Sequence, residues 1–481
     1  MTGTPTLEGD SRRRTSPRAW ALLLVVCGAL FLEGIDIAML AVAVPAISND
    51  LGLAAGQGHW TISAYVLGYG GFMLLGGRVA DLLGRRRVFL TGLWVFVAFS
   101  VLGGLADTGW LLIAARFAIG VAAAFMTPAG FSIVTTTFAE GRARDRALSI
   151  YGAVGAGGFT LGLVAGGLLT SVSWRWVFFA PALIGVTLLV AGHRFIRADR
   201  DLPAANRRSF DVAGALTGTA AMVALIYAIV SGGDHGYDGG ALVAGAVSVA
   251  LALAFVTIER RSAAPLLRLG ILREGVLAHV SVGGLLFMGA FFGFQFGLTL
   301  YLQDLRGWTP FEVGLTFAVM GADLVLAPVL APWLVGRFGN VAVMTAGFVA
   351  AFVAYALALR LDAAWGYVDL LPSLLLVGVA FALVYGPLTS AASDGIAEEE
   401  HGVAGGVVYT AFQFGGALGL SAVTTALLAS GATEPALGDY RRAMVVPAVG
   451  ALLAVLAGLA AWGRRARVSA AARRSRSLAA R

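Results

Sequence analysis

The sequence predicts an all-α protein that crosses a lipid bilayer many times. Only 13% of the 481 residues are charged and 58% are hydrophobic, whereas a soluble domain carries about 25% charge. So few charges cannot cover a surface facing water. Apolar runs of roughly 20 residues recur from end to end, each long enough to cross about 30 Å of hydrocarbon as a helix. The basic residues gather in the short stretches between those runs, as they do in membrane proteins of fixed orientation. Strands of a membrane β-barrel would be shorter and would alternate apolar with polar residues.

Fourteen runs can be counted, at 19–45, 57–80, 88–106, 109–134, 147–170, 174–196, 210–231, 241–261, 279–303, 311–335, 341–360, 366–392, 403–428 and 443–463. An even number puts both chain ends on one side. Arginine placement tests the count, because one miscounted helix would exchange the sides of everything after it. With a cytoplasmic N-terminus, 28 of the 34 arginines fall on the inner side and five on the outer side, and Arg116 is left inside the membrane. That bias supports both the count and the orientation. One inner loop, from Asp394 to His401, is acidic instead, and the rule gives acidic residues little weight.

All 34 basic residues are arginine. An isoelectric point near 9.9 points to orientation and to anionic lipid rather than to nucleic acid, since the arginines sit between membrane segments. The polar first 18 residues carry Arg12, Arg13, Arg14 and Arg18. The run after them is too long for a cleaved signal and holds Glu33 and Asp36, so it reads as a retained first helix despite the Ala41-Val42-Ala43 sequence. Cys27 is the only cysteine. It cannot form a disulfide within the chain and reads as a small packing residue.

Two polar loops echo one another. The first is Gly77-Arg78-Val79-Ala80-Asp81-Leu82-Leu83-Gly84-Arg85-Arg86-Arg87, and the second is Pro332-Trp333-Leu334-Val335-Gly336-Arg337-Phe338-Gly339. In the second, Gly336 replaces the Asp and Arg337 is all that remains of the basic cluster. A degenerate copy implies two six-helix halves with two helices inserted between them. The expected organisation is an N-terminal tail (1–18), a six-helix bundle (19–196), a linker with two inserted membrane helices (197–273), a second six-helix bundle (274–463) and a basic C-terminal tail (464–481).

The first loop resembles the loop signature of the major facilitator superfamily. It lies, as in that family, between the second and third membrane helices, and Gly77, Asp81, Gly84, Arg85, Arg86 and Arg87 match. An ordinary positive-inside loop would explain the arginines but not the Gly-Asp-Gly spacing. The resemblance implies parallel halves related about the membrane normal. It also implies a latch on the cytoplasmic side made by Asp81 and Arg85–Arg87.

Glu33 and Asp36, three apart, share one face of the first helix. Ionisable groups at membrane depth are costly and are functional candidates for that reason. Loss of water changes how readily a carboxyl ionises, so such acids can exchange protons at physiological pH. The bland alternatives are a position near the interface or a purely structural pairing with an arginine. The stretch from Gly34 to Pro45 resembles the first-helix motif of the fourteen-helix drug:proton antiporters, the EmrB/QacA-like family. Asp36 and Pro45 have the family spacing, Ala38 stands where Thr is usual, and Glu33 lies outside the motif.

Arg116, with Gly120 after it, resembles the fourth-helix pattern of that family, whose arrangement puts this helix beside the first. A buried guanidinium needs a partner. An arginine that comes and goes would change how readily Asp36 or Glu33 holds a proton; the alternative is a structural anchor. Segment five carries Gly158, Gly162, Gly166 and Gly167, the first three at four-residue spacing. They form a groove that allows close helix approach. The stretch resembles the antiporter signature of the fifth helix, except that Leu163 stands at the Pro position, which puts the proline kink in doubt. Generic close packing would also explain the groove. Ser173-Trp174-Arg175-Trp176 reads as an interfacial aromatic belt.

In the second half Asp323 is the clearest intramembrane acid, a second protonation or cation-contacting site or else a residue of a water-filled vestibule. Tyr227, Gln295, Tyr385, Tyr409 and Gln413 are candidate cavity residues among apolar and aromatic walls, which suit lipophilic ligands. Tyr301-Leu302-Gln303 reads as a structural element near the interface. A Walker-type ATP loop needs a lysine, and the chain has none. The five histidines, 59, 193, 235, 279 and 401, are too scattered for a metal site. No catalytic constellation is visible, so the reading is a transporter and not an enzyme, without cofactor or metal, driven by a proton gradient.

The resemblance implies proton-coupled efflux of lipophilic or cationic drugs, with antibiotic resistance as the outcome. The expected partners are such a small molecule, protons and the lipid bilayer, with no nucleic acid. The protein is expected as a monomer in a bacterial-type cell membrane with both ends cytoplasmic. Leu163 supports the alternative, a nutrient or metabolite symporter or uniporter of the same fold.

Overall fold

The computed structural model describes residues 17–53, 57–138, 142–196, 212–235, 239–262, 269–273, 276–394, 396, 401–430 and 435–479. Among them are fifteen α-helices and no strand: α1 (Pro17–Asp50), α2 (Trp60–Leu83), α3 (Arg85–Gly104), α4 (Gly109–Thr137), α5 (Arg142–Val172), α6 (Trp176–Phe195), α7 (Val212–His235), α8 (Gly239–Arg261), α9 (Leu277–Leu300), α10 (Pro310–Ala318), α11 (Ala322–Phe338), α12 (Asn340–Ala358), α13 (Tyr367–Ala392), α14 (His401–Leu428) and α15 (Leu437–Ala479). Ten helices of the described residues are long and apolar enough to cross a membrane, and shorter apolar stretches lie on α5, α7, α10 and α11.

The helices fall on the apolar runs of the sequence. The tenth run, expected as one rod, is divided between α10 and α11 by a 3-10 turn at Val319–Gly321. At that turn Gly321 rests against the Thr160 side chain of α5, where a Cβ would find no room. The N-terminus of α10 is fixed by a capping box. The Thr309 hydroxyl accepts from the Glu312 amide at 3.3 Å, and the Thr309 amide donates to the Glu312 carboxylate at 2.8 Å, with Pro310 in the first turn.

The two echoing loops have one backbone solution. Gly84 and Gly339, at matching places, adopt φ of 99° and 81° and each separates two helices. Only glycine enters that region without strain. Helix neighbours recur in the same way. The pairs α1–α5, α2–α4, α3–α4, α3–α6 and α1–α6 reappear as α9–α14, α11–α13, α12–α13, α12–α15 and α9–α15.

One close helix pair is made by the glycine stripe of α5. A Cβ at Gly158, Gly162 or Gly166 would lie 2.9, 2.8 and 2.6 Å from the Cα atoms of Phe31, Ile35 and Met39. Both sets advance by four residues, so α5 and α1 lie backbone to backbone for three turns. α5 continues as one helix through Leu163. Its next glycine faces elsewhere: a Cβ at Gly167 would lie 3.1 Å from the Phe311 Cα of α10. A second joint brings Gly70 of α2 to Gln413 of α14, with α7 lying over both helices through Val223 and Ile226. α8 packs mainly on α7 and turns much of its surface outward.

Gly162→Ala is expected to overpack the α1–α5 contact at a cost of about 1–3 kcal/mol, read as a lower Tm in detergent. Gly386→Ala, where nothing lies within 4 Å of the added Cβ, is the matched control and should melt with the parent.

Candidate functional site: a sealed charge cluster between α1, α2 and α4

Close packing of α2 on α4 builds the site. At Gly120, one turn past Arg116, a side chain would overlap the Tyr65 carbonyl. The contact brings the arginine of α4 to the backbone of α2. The Arg116 Nη1 donates to Asp36 Oδ2 at 2.6 Å, and Nε donates to the Thr61 carbonyl at 3.0 Å. The guanidinium lies over the Tyr65 ring, 4.7 Å from its centroid, with the Phe178 ring of α6 on another side at 6.0 Å. Both charged side chains are 1% exposed. Among the described residues Nη2 has no hydrogen-bond partner, and neither has the buried Tyr65 hydroxyl.

Glu33, one helix turn from Asp36, is equally deep at 4% exposure but is held differently. Its Oε2 accepts from Thr127 of α4 at 2.7 Å and from Tyr69 of α2 at 3.3 Å. The two hydroxyls lie 2.8 Å apart, and Thr127 also reaches the Ala123 carbonyl at 2.9 Å. Among the described residues no cation pairs with Glu33. Two acids on one helix face therefore have opposite settings, one matched by a full charge and one by neutral hydroxyls. Arg116 reaches Asp36 and not Glu33.

Sequence reasoning missed Thr61, Tyr65, Tyr69 and Thr127. A signal existed: eleven residues separate Arg116 from Thr127, three full turns, so both lie on one face of α4. Tyr65 and Tyr69, four apart, likewise share a face of α2.

The remaining candidates scatter. Asp323 is buried in the first turn of α11 and shares no hydrogen bond with Glu33, Asp36 or Arg116. Gln295 of α9 is 1% exposed, and among the described residues neither of its side-chain polar atoms has a partner. The Tyr385 and Tyr409 hydroxyls meet at 3.3 Å. Half-buried Gln413 lies beside Gly70. Tyr227 stands on the outer helix α7 against Trp60, 44% exposed, apart from the others.

The sequence also gave no warning of an aromatic chain across the molecule. Phe159 of α5 contacts Phe291 and Phe292 of α9 at 5.5 and 6.2 Å. Phe291 then meets Phe381 of α13 at 5.1 Å, and Tyr385 stacks on Phe381 at 5.4 Å before meeting Phe412 of α14 at 5.8 Å.

In the first loop, Gly77 lies beside Pro128, Gly84 makes the turn, and Arg86 donates to the His193 carbonyl at the end of α6 at 3.2 Å. Arg85 is half-buried and Arg87 exposed. The Asp81 and Arg78 side chains lie outside the described residues. Tyr301 and Gln303 hold structural contacts, the former donating to the Asp362 carbonyl at 2.6 Å and the latter to the Val42 carbonyl of α1 at 2.9 Å. One expectation fails. Trp174 belongs to no interfacial belt; it is 4% exposed because its indole N–H donates to Asp50 at 2.8 Å, beside an Arg175–Asp50 ion pair. Only Trp176 faces outward.

Stacked membrane-length helices around a sealed charge cluster define a polytopic membrane transporter. The chain belongs to the Major Facilitator Superfamily, whose profile matches residues 26–420. The puromycin resistance protein pur8 of Streptomyces alboniger is 35% identical over 444 residues, 90% of this chain and 86% of that one. The cephamycin export protein CmcT of Amycolatopsis lactamdurans is 33% identical over 430 residues, 88% of each chain. The solved structure of the human organic anion transporter MFSD10 (TETRAN) matches at a TM-score of 0.66 and 16% identity, covering 92% of this chain and 100% of that one. This last likeness concerns the fold alone.

Removing one partner of a buried ion pair costs about 3–5 kcal/mol, because the other charge is left alone. Arg116→Met is therefore expected to lower Tm more than the double variant Arg116→Met/Asp36→Leu. A double-mutant cycle of thermal melts measures the coupling.

Proposed function

We propose that this chain is a proton-coupled exporter of lipophilic or cationic small molecules, an antiporter of the fourteen-helix kind. It works by alternating access of two six-helix bundles, residues 19–196 and 274–463, in a bacterial-type cell membrane. The observation that carries the reading is the sealed Arg116–Asp36 pair with Glu33 one turn away and, among the described residues, no cation paired with it. A transporter must carry protons across a barrier that excludes water. Glu33 is the group whose neutral form fits its surroundings without a counter-charge, and Asp36 is the group whose charge is tied to a movable arginine. Separation of Arg116 from Asp36 would leave two bare charges in a dry site, at several kcal/mol. Protonation of Asp36 removes one of them, so proton binding and helix movement are coupled.

The rings between α5, α9, α13 and α14 offer area rather than a defined hydrogen-bond set, which suits lipophilic cargo. Asp323 supplies a second acid for a cationic substrate. Asp81 and Arg85–Arg87 latch the cytoplasmic ends, with Arg86 already seated on the end of α6. The resistance and export names of the relatives favour efflux over nutrient uptake.

In proteoliposomes, Glu33→Gln and Asp36→Asn are each expected to lose about tenfold or more of proton-driven accumulation, while gel filtration still shows folded protein. In everted vesicles, adding substrate should release stored protons. Undiminished transport in both variants would remove these acids from the mechanism.

Fourteen crossings with cytoplasmic ends place Arg87 inside and Ala363, in the loop after α12, outside. A cysteine at Ala363 should react with an impermeant maleimide added to whole cells, and one at Arg87 should react only after lysis. The native Cys27 is buried and gives the background.

A further inference from the structure

We propose that Thr127 is a swing donor that keeps Glu33 hydrogen-bonded in both of its charge states, and so lets a proton come and go without any heavy atom moving. The inference rests on the reading of Glu33 as a proton carrier. A hydroxyl has one proton to give and two lone pairs to receive. The Thr127 oxygen has three partners in reach at once: Glu33 Oε2 at 2.7 Å, the Tyr69 hydroxyl at 2.8 Å and the Ala123 carbonyl at 2.9 Å.

With Glu33 ionised, Thr127 donates to Oε2 and accepts the Tyr69 proton. With a proton on Oε2, the direction of one bond reverses. Glu33 now donates to Thr127, Tyr69 still donates to the second lone pair of Thr127, and Thr127 turns its own proton to the Ala123 carbonyl. That carbonyl has a lone pair beyond its helix bond. Every donor has an acceptor in both states, and only a hydroxyl hydrogen has rotated.

Threonines in helices often bond the carbonyl four residues back for local reasons, and Thr127 would do so with no role in transport. What separates the two readings is the reach of the same oxygen to a buried acid on another helix and to a second hydroxyl. Tyr69 cannot replace it: it stands 3.3 Å from Glu33, and its only other hydrogen-bond partner among the described residues is Thr127 itself. A valine at 127 would leave Glu33 only the longer Tyr69 contact: Tyr69 can donate to the ionised form, but when it accepts from the neutral form its own proton has no acceptor among the described residues, whereas a serine keeps the oxygen.

The test is an infrared pH titration of the purified full-length protein, in which the Glu33 carboxyl band is the one missing from Glu33→Gln. In Thr127→Val the midpoint of that band is expected to move by about one pH unit, the size of one lost hydrogen bond to a charged group. Thr127→Ser should restore the parent midpoint. A Thr127→Val midpoint unchanged from the parent overturns the inference, as does a Thr127→Ser midpoint that follows valine. If valine does not fold, Thr127→Ala is read by the same criteria. A Glu33 band that never titrates would instead overturn the proton-carrier reading on which this one rests, so the two failures are told apart.

Discussion

The ion pair between Arg116 and Asp36 is the constraint that organises the first half of this protein. A guanidinium with almost no access to solvent cannot stand in hydrocarbon alone. Its carboxylate comes from α1, its carbonyl acceptor from α2, and its aromatic faces from α2 and α6. Two of those contacts, the Thr61 carbonyl and the Tyr65 ring, fail if α4 retreats from α2, and Gly120 is what permits the approach. The glycine stripe of α5 serves the same arrangement from behind. It presses α1 into place along three turns, so that both acids meet their partners in register. Close packing and electrostatics are thus one feature here: small residues fix the helix distances that the charges require.

Glu33 gains its interest by contrast. Its neighbours are hydroxyls, which can serve as donors or acceptors, whereas Arg116 can only donate. A group with reversible partners suits a traffic of protons, and a group with a fixed cation suits a mechanical joint. The two acids, three residues apart, differ in that respect.

Much of this was legible in the chain itself, because the bilayer imposes strict rules. Helix lengths follow from membrane thickness, and an arginine or acid inside an apolar run stands out by its cost. Asp36, Glu33 and Arg116 were visible for that reason. Tyr69 and Thr127 were not, since uncharged polar residues are cheap enough to be common in membrane helices and their spacing names a face but no neighbour. The break after α10 was hidden because the stretch reads as one apolar run, and the Thr160 side chain against Gly321 belongs to another helix. Trp174 was misread because a tryptophan beside an arginine resembles an interface anchor, and only the fold brings Asp50 to its N–H. The matching glycines at 84 and 339 were legible as a repeat, although their shared left-handed geometry was not.

The helix α7 lies across the joint between α2 and α14, while among the described residues no further helix covers the joint between α5 and α10. The two flanks of the molecule are therefore unequal to anything moving within the plane of the membrane. An acyl tail or an oily solute drifting toward the covered flank meets a third helix bolted over the crevice. On the opposite flank it meets the bare meeting line of α5 and α10.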